Sequence, residues 1–294
     1  MKILITGGSG LLGQYLNIEL SKENEIITLY HEHSGNCSEF NSLNADIKDF
    51  NKVRGVIQEF KPDTIIHAAA ISTPQLSENL SAKEVYKTNV NATKIIAEEC
   101  ERNKIKLIYL STDLVYAGYR GSMLAENSKL IPVSLYAETK LMGETKIQEI
   151  FDDYIILRTA LLFGFGLNKS KCHFHEMYKN LKENRNVKLF TDQYRTPLSL
   201  IDASEIISSL TNLEIKEEII NFGGKERVSR FELGEILCDS GNLNKSLLEK
   251  ITMDDIPGLP KVEDVSMNTD KLKSFGVNQK GIEESINVIL STNA

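Results

Sequence analysis

Two residues capable of acid–base chemistry are four positions apart in Ser134–Glu144, a segment with the sequence SLYAETKLMGE. On a helix, Tyr136 and Lys140 lie one turn, or ~6 Å, apart on the same face. A lysine ammonium at that distance favours the phenolate, so we expect it to lower the pKa of the tyrosine hydroxyl. Such a tyrosine can exchange a proton with a substrate oxygen while a hydride moves at the adjoining carbon. The same spacing is common on half-exposed helix faces, and the rest of the chain must decide between the two interpretations.

A second group of reactive residues follows the apolar run LIYL. Ser111, Thr112 and Asp113 come directly after it, at the carboxyl end of a predicted strand. A hydroxyl in this place can hydrogen-bond the same substrate oxygen that a nearby tyrosine protonates. A Ser-Thr-Asp turn that only ends the strand is the other interpretation.

Three glycines at equal spacing separate the first apolar run, KILIT, from a helical pattern. Gly7 permits a tight turn, Gly10 lets backbone N–H groups approach a pyrophosphate, and Gly13 lets the helix pack close to the strand. The amino end of the helix, at Leu11 and Leu12, then offers free N–H donors and the positive end of its dipole. This setting favours a dinucleotide-binding turn over ordinary turn glycines.

The residues after the second predicted strand, EIITLY, bear on the choice of dinucleotide. An acid at its end would bind the ribose hydroxyls of NAD, and an arginine would suit the extra phosphate of NADP. The strand is followed by His31, which fits neither pattern. We therefore expect NADP or NAD, with NADP favoured. Asp46 and Ile47 are placed to meet the adenine edge, although a simple turn aspartate explains Asp46 almost as well.

Strands and helices alternate through the first half of the chain, including a long amphipathic helix predicted over 81–104. This alternation predicts an α/β fold with a Rossmann-like doubly wound parallel sheet. We expect 1–165 to form the dinucleotide-binding domain, which also receives 201–224. Residues 166–294 then form a smaller, interleaved substrate-binding region over the carboxyl ends of the strands, where ligands bind in such sheets.

Composition excludes several classes of protein. The chain has 294 residues, of which 41% are hydrophobic and 26% charged, and a net charge of −7. Acidic and basic residues are interspersed and the net charge is negative, so no basic surface for nucleic-acid binding is indicated. No stretch approaches the ~20 apolar residues of a membrane span. The four cysteines have no C-x-x-C spacing. Free thiols and a cytoplasmic location are the simplest interpretation.

Two segments gather residue types that bind metals, namely CHFHE (172–176) and HEH (31–33). If the first is helical, His173 and His175 point to different faces, and no second ligand pair is near in sequence. We expect a surface helix of the substrate region for the first segment and a cofactor-edge loop for the second. No metal site is predicted.

In their order and spacing, these motifs resemble the extended short-chain dehydrogenase/reductase family from the first residue to near the last. The segment HAAA (67–70) and Asn89 in TNVNAT add to the resemblance. It implies that Tyr136 is the proton donor, that Lys140 assists it, and that Thr112 orients the substrate.

The same resemblance implies further roles in the cofactor site. Asn89 would help to hold the catalytic architecture. Lys140 would also hydrogen-bond the cofactor ribose, beside Tyr136. The alanines of the HAAA segment would line the cofactor: Ala68, Ala69 and Ala70.

Within this family the chain looks most like the dTDP-4-dehydrorhamnose reductase branch. The branch's strand end corresponds to STDLV, its Tyr-Lys segment to SLYAETK with Ala137 in place of a glycine, and its Asp-Gln…Pro-Thr segment to DQYRTPLS with leucine for threonine. The resemblance implies an NAD(P)H-dependent oxidoreductase that reduces a nucleotide-activated 4-keto-6-deoxy sugar. Leu114 stands where 4,6-dehydratases place a glutamate, and a leucine cannot take a proton, so dehydration is not expected.

Asp113 and Arg195 are the expected substrate contacts. Related enzymes often place an arginine near the position of Arg195 against the substrate diphosphate, a task that suits a bidentate guanidinium. A surface arginine beside Asp192 is an equal alternative. For the whole protein, a nucleotide-sugar 4-epimerase and a non-catalytic NADP-binding regulatory subunit, like that of methionine adenosyltransferase, stay open. A homodimer is an open assembly state.

Overall fold

Within the described residues, seven parallel strands form the central sheet, in the order β11-β6-β5-β4-β1-β2-β3. The computed structural model describes residues 1–119, 121–168, 170–258 and 260–292. The strands are β1 (Lys2–Thr6), β2 (Glu25–Tyr30), β3 (Ser42–Asn44), β4 (Thr64–His67), β5 (Lys106–Thr112), β6 (Tyr154–Thr159), β7 (Leu162–Phe163), β8 (Val187–Phe190), β9 (Tyr194–Arg195), β10 (Leu198–Ser199), β11 (Glu218–Phe222), β12 (Val228–Ser229) and β13 (Leu248–Ile251).

Helices cover both faces of this sheet. They are α1 (Leu11–Leu20), α2 (Phe50–Phe60), α3 (Pro74–Glu78), α4 (Ala82–Tyr86), α5 (Ala92–Asn103), α6 (Leu135–Ile150), α7 (His173–Lys182), α8 (Leu200–Thr211), α9 (Arg230–Gly241), α10 (Asp270–Ser274) and α11 (Ile282–Thr292). Alternate residues of β1 pack against the helices on opposite faces of the sheet. Ile3 and Ile5 pack with α1 and α8, and Leu4 packs with α2, α5 and α6. This double burial explains why the strands are apolar throughout.

The strand order reverses between β1 and β4, since the chain runs outward through β2 and β3 and then returns to the other side of β1. Ligands of doubly wound sheets bind in the crevice at this switch point, beyond the carboxyl ends of the strands. The predicted fold class is confirmed. The glycine turn follows β1, and Thr112 ends β5, so both lie at this edge of the sheet.

The second half of the chain adds a separate apolar core and short strand pairs. Phe163, Phe174, Leu237 and Ile286 belong to this core, and the pairs are β7 with β10, β8 with β13, and β9 with β12. Two elements return to the central sheet: β11 pairs with β6 at its edge, and α8 packs on α1.

The helix predicted over 81–104 is present as one uninterrupted run of helical backbone from Ala82 to Asn103. A five-residue π-helical turn, Lys87–Asn91, separates α4 from α5. Such turns are frequent at functional sites. Here the turn contains Asn89, whose contacts are described below.

A buried ion pair joins α6 to β6. Arg158 Nη2 lies 2.8 Å from Glu144 Oε2, and both side chains are almost fully buried. The Ser111 hydroxyl donates to Glu144 Oε1 at 2.5 Å, and Arg158 Nη1 donates to the Tyr116 hydroxyl at 3.0 Å. Paired in this way, neither buried charge lacks hydrogen bonds.

Two side chains of α1 connect the glycine turn to the second half of the chain. Gln14 Nε2 donates to Ser9 O at 3.2 Å, to Leu167 O at 3.0 Å and to Ser170 Oγ at 2.8 Å. The Tyr15 hydroxyl donates to the Phe165 carbonyl at 2.7 Å. The first helix is therefore bonded directly to residues far along the chain.

No helix in the described part of the chain is long and apolar enough to cross a membrane. The four cysteines, Cys37, Cys100, Cys172 and Cys238, are free thiols.

Candidate active site

Tyr136 and Thr112 lie together at the carboxyl edge of the sheet. Ser134 caps α6 by accepting a hydrogen bond from the Ala137 N–H at 3.2 Å, which places Tyr136 in the first turn. The Tyr136 hydroxyl is close enough to the Thr112 side chain for the two groups to interact. Two groups 24 residues apart in the chain can thus contact one substrate oxygen.

Lys140 is buried one turn further along α6, with its Nζ 4.0 Å from the centre of the Tyr109 ring. Burial lowers the pKa of Lys140 to about 7, against a smaller opposing effect of Glu144. Burial also raises the pKa of Tyr136 to about 12, although its hydrogen bond with Thr112 acts in the opposite direction. The expectation that the lysine lowers the tyrosine's pKa is therefore wrong for the protein alone, because desolvation of the phenolate outweighs it.

Replacing Lys140 with methionine should raise the free energy of unfolding by about 1–4 kcal/mol at neutral pH. The pKa of Lys140 is lowered by folding from 10.5 to about 7. Below pH 7 the lysine is charged in the folded and unfolded chains, so the full cost of burying the charge is present. Above pH 10.5 it is neutral in both, and the cost vanishes. Urea unfolding at pH 6 and pH 9 measures the difference in the free energy of unfolding between the variant and the wild type.

The stability gain should be larger at pH 6 than at pH 9. Leu141→Met, on the neighbouring half-buried position, is the control for methionine packing, and its effect should not change with pH. A Lys140→Met gain that is equal at both pH values would contradict the assignment of a desolvated ammonium.

The glycine turn has the shape that a pyrophosphate requires. Gly7 has a φ of +73°, a left-handed conformation that glycine adopts without strain. A Cβ on Gly7 would lie 2.7 Å from the Ala69 nitrogen, and one on Gly13 would lie 2.1 Å from the Gly7 carbonyl oxygen. Only residues without side chains allow this packing of turn, helix and neighbouring strand.

The backbone N–H groups at the amino end of α1 have no side-chain cap. Gly10 is its N-cap, no side chain caps it, and no acid stands in its first turn. The free N–H groups and the helix dipole therefore suit an anion, and the site fits a dinucleotide. Leu11 is half-buried, whereas the side chain of Leu12 lies in the core, so Leu12 can offer only its backbone.

Asn89 connects the segment that follows β4 to helix α6. Its Oδ1 accepts from the Ile71 N–H at 2.8 Å, and its Nδ2 donates to the Thr139 hydroxyl at 3.1 Å. Thr139 lies between Tyr136 and Lys140, so the amide fixes the helix turn that carries both. The predicted architectural role agrees with these contacts.

His67 is a positioning residue that sequence reasoning did not identify. It is fully buried, with Nδ1 2.7 Å from the Thr6 hydroxyl and Nε2 3.0 Å from the Thr93 hydroxyl. Thr6 Oγ1 in turn accepts from the Ala69 N–H at 3.2 Å. Burial lowers the pKa of His67 to about 3, so it stays neutral. Ala68, Ala69 and Ala70 are half-buried beside the glycine turn.

The residues predicted at the adenine edge do come together. His31 Nε2 lies 3.6 Å from Asp46 Oδ2, and Lys48 Nζ lies 3.4 Å from the same oxygen. Ile47 is buried. The sequence analysis did not identify Lys48, because this residue belongs to no recognised motif. Its position two residues after Asp46 could have indicated that it lies at the same site.

Arg195 is buried, and the interpretation as a surface arginine beside Asp192 is wrong. Its Nε lies 3.8 Å from Asp113 Oδ2, and its Nη1 donates to the Tyr194 carbonyl at 2.7 Å. Asp192 instead accepts from the Met253 N–H at 2.9 Å. The two predicted substrate contacts, Asp113 and Arg195, therefore form one cluster next to Thr112.

The CHFHE segment starts α7, and its side chains serve different partners. The Cys172 thiol donates to the Gly164 carbonyl at 3.1 Å, and His175 Nδ1 accepts from the Gly166 N–H at 3.1 Å. The face that carries Phe174 is buried in the second core. The described residues contain no group of three His, Cys, Asp or Glu side chains that could hold a metal ion.

Known proteins of similar sequence include members of two functional groups. The methionine adenosyltransferase 2 subunit beta of Xenopus tropicalis is 29% identical over 295 residues, which cover 97% of this chain and 87% of that protein. The dTDP-4-dehydrorhamnose reductase of Aggregatibacter actinomycetemcomitans is 28% identical over 275 residues, which cover 88% of this chain and 87% of the relative.

Solved structures share the whole fold. A dTDP-4-dehydrorhamnose reductase from Bacillus anthracis, in complex with NADP, superposes with a TM-score of 0.85 at 24% identity and covers 100% of this chain and 99% of its own. A hypothetical dTDP-4-dehydrorhamnose reductase from Sulfolobus tokodaii gives 0.82 at 28% identity, covering 96% of this chain and 98% of its own.

The family model described as the RmlD substrate binding domain matches residues 1–293, almost the entire chain. This match agrees with the glycine turn, the Thr112–Tyr136 pair and Lys140 at the edge of a parallel sheet. The chain therefore belongs to the RmlD substrate binding domain family, in the dTDP-4-dehydrorhamnose reductase branch of the extended short-chain dehydrogenases/reductases.

Proposed function

We propose that this protein is an NAD(P)H-dependent reductase of a nucleotide-activated 4-keto-6-deoxy sugar. One observation carries the proposal. The Tyr136 hydroxyl interacts with the Thr112 side chain at the end of β5, and Lys140 is buried one turn away on the same helix. This arrangement can hold and protonate a carbonyl oxygen beside a dinucleotide site.

The chain's own residues would handle the oxygen and the proton. The reduced nicotinamide supplies a hydride to the carbonyl carbon when it is bound. Thr112 donates a hydrogen bond to the carbonyl oxygen, and Tyr136 transfers its proton to that oxygen, which becomes the product hydroxyl. Because burial raises the pKa of Tyr136 to about 12, the tyrosine holds this proton at neutral pH. Lys140 stabilises the tyrosinate until a solvent proton restores it.

The dinucleotide would be held along the switch-point crevice. The N–H groups of the glycine turn and of the first turn of α1 suit its pyrophosphate. Ala69 would border it, Lys140 would bond its ribose, and His31 and Asp46 would lie near its adenine end. We propose NADP or NAD, and we favour NADP because Lys48 adds a positive charge where β2 ends.

Replacing Lys48 with alanine should weaken NADPH binding about tenfold and leave NADH binding unchanged, because only NADPH has the extra phosphate. Calorimetric titration of both cofactors measures this difference. Lys52→Ala removes an exposed lysine four residues away and should change neither affinity. Equal losses for NADPH and NADH would contradict a phosphate contact.

A panel of nucleotide 4-keto sugars, assayed with NADPH and NADH, tests the proposed reaction. Net oxidation of the cofactor, with appearance of a 4-hydroxy product, is the expected result. Interconversion of sugar epimers without net cofactor consumption would instead identify an epimerase. Absence of any reaction across the panel would contradict the proposal.

A regulatory role is the second candidate, and the similarity to the methionine adenosyltransferase 2 subunit beta over 97% of the chain favours it. Such a protein would keep the dinucleotide site and serve a partner enzyme. Pull-down with an adenosyltransferase catalytic subunit from the same cell tests this role. A stoichiometric complex, together with no turnover of any keto sugar, would replace the reductase proposal.

The cellular setting follows from the same proposal. A nucleotide sugar is the proposed substrate, and the free thiols agree with a reducing cytoplasm. A homodimer stays a prediction, which sedimentation equilibrium would test.

A further inference from the structure

The fully buried side chain of Gln14 contacts both segments that are expected to hold the dinucleotide. Its Nε2 donates to the Ser9 carbonyl, within the glycine turn, at 3.2 Å. Its Oε1 accepts from the Asn36 N–H, in the loop after β2, at 3.1 Å. A Cβ on Gly35 would lie 2.9 Å from the Gln14 side chain, so this loop packs directly on it. Gln14 therefore adjoins the turn proposed for the pyrophosphate and the loop that follows the proposed adenine edge.

The same amide holds the loop between β7 and α7. Gln14 Nε2 donates to the Leu167 carbonyl at 3.0 Å and to Ser170 Oγ at 2.8 Å. Gln14 Oε1 accepts from Asn168 Nδ2 at 3.0 Å. An amide has two hydrogens and two oxygen lone pairs, and these bonds engage all of them. Displacement of one segment therefore costs hydrogen bonds in the others.

The chain enters this loop from the edge of the sheet that carries the catalytic pair. Thr159, at the end of β6, is the register partner of Thr112 in β5, and β7 follows directly. Within the loop, the Ser170 N–H donates to the Leu167 carbonyl at 2.8 Å. The loop then leads into α7, so it connects the catalytic edge to the second half of the chain.

We propose that Gln14 is a positioning residue that transmits dinucleotide binding to the loop before α7. A dinucleotide that contacts the glycine turn and the loop after β2 would fix Ser9 and Asn36. These two residues then hold the Gln14 amide in the orientation that bonds the loop, so opening of the loop costs more free energy. By linkage, a closed loop favours dinucleotide binding by the same factor. The inference concerns the dinucleotide site alone and applies equally to a reductase and to a regulatory subunit that keeps this site.

Hydrogen exchange of single amides, followed by NMR on the full chain with and without saturating NADPH, tests the inference. Two amides report opening of the loop. The Ser170 N–H donates to the Leu167 carbonyl, and the Glu176 N–H donates to the Cys172 carbonyl in the first turn of α7. In the wild type, NADPH should slow exchange of both about tenfold, within the ~5- to 150-fold range of couplings between sites. No change at either amide would overturn the inference.

Gln14→Met keeps the length of the side chain but not the amide. It should abolish the effect of NADPH at Ser170 and Glu176. The Gly10 N–H, which donates to the Gly7 carbonyl at 2.9 Å within the turn, should still gain protection from NADPH and shows that the dinucleotide is bound. Saturation with NADPH removes any difference in affinity from the comparison. Equal slowing in Gln14→Met and the wild type would overturn the inference.

Tyr15→Phe is the matched control. It removes another bond between α1 and the same loop, from the Tyr15 hydroxyl to the Phe165 carbonyl, and leaves the Gln14 amide in place. NADPH should slow exchange in this variant as it does in the wild type. Loss of the effect in Tyr15→Phe as well as in Gln14→Met would mean that any bond between α1 and the loop suffices, which would overturn the role of Gln14.

A variant at the other end of these bonds keeps the test decisive if Gln14→Met does not fold. Ser170→Ala removes one acceptor of the amide, and Asn168→Gly removes a donor at an exposed position whose φ of +44° glycine adopts without strain. The double variant should reduce the slowing of exchange at Glu176, and a full wild-type response would overturn the inference. Since no sugar is present in these measurements, their failure leaves the proposed reductase in place, and failure of the keto-sugar assay leaves the inference in place.

Discussion

Tyr136→Phe should lower kcat for keto-sugar reduction by about 10²- to 10⁴-fold, the range that a positioned general acid contributes. The substitution removes only the hydroxyl that contacts Thr112, and the buried ring keeps its packing. The Kd for NADPH should therefore stay that of the wild type. Steady-state kinetics and calorimetric titration of the same preparation measure both quantities.

Tyr86→Phe provides the matched control, since it removes a hydroxyl from an exposed tyrosine outside the cleft. Its kcat should equal that of the wild type. If Tyr136→Phe turned over substrate at the wild-type rate, another group would be the proton donor. If it instead lost NADPH affinity, the tyrosine would act in binding rather than in proton transfer.

Glu144→Gln should lower the free energy of unfolding by about 3–5 kcal/mol, because it leaves the buried Arg158 guanidinium without its counter-charge. Equilibrium unfolding in urea measures the loss. The Ser111 hydroxyl and Tyr116 belong to the same network, so no other acid in it replaces the carboxylate. This effect should exceed that of any single exposed ion pair.

Two variants control this expectation. Glu149→Gln breaks an exposed pair with Lys146 on the same helix and should cost under about 1 kcal/mol. Replacing both Glu144 and Arg158 with methionine should recover much of the loss, since no uncompensated charge is then buried. Equal destabilisation by Glu144→Gln and Glu149→Gln would contradict a larger contribution of the buried pair to the free energy of unfolding.

The fold was predictable because its determinants are local in sequence. Apolar runs such as KILIT, glycines at three-residue spacing and amphipathic helices each appear within one segment. Together they predict the parallel sheet and the turn after β1. The helix predicted over 81–104 is present, but its π-helical turn, Lys87–Asn91, was not predicted.

The sequence predicted which residues form the candidate site but not the direction of their pKa shifts. Thr112 and Tyr136 were expected together, and they are. The pKa of Tyr136 was expected to fall, yet burial raises it, and burial is a property of the folded chain.

The hydrogen bonds of Gln14 and Tyr15 to residues 165–170 have a consequence for folding cooperativity. Because α1 is bonded directly to the second half of the chain, opening of one half breaks contacts of the other. We expect a single melting transition. A dinucleotide bound by residues of the first half should then shift the melting temperature of both halves together, since ligand binding stabilises every part of one cooperative unit by mass action.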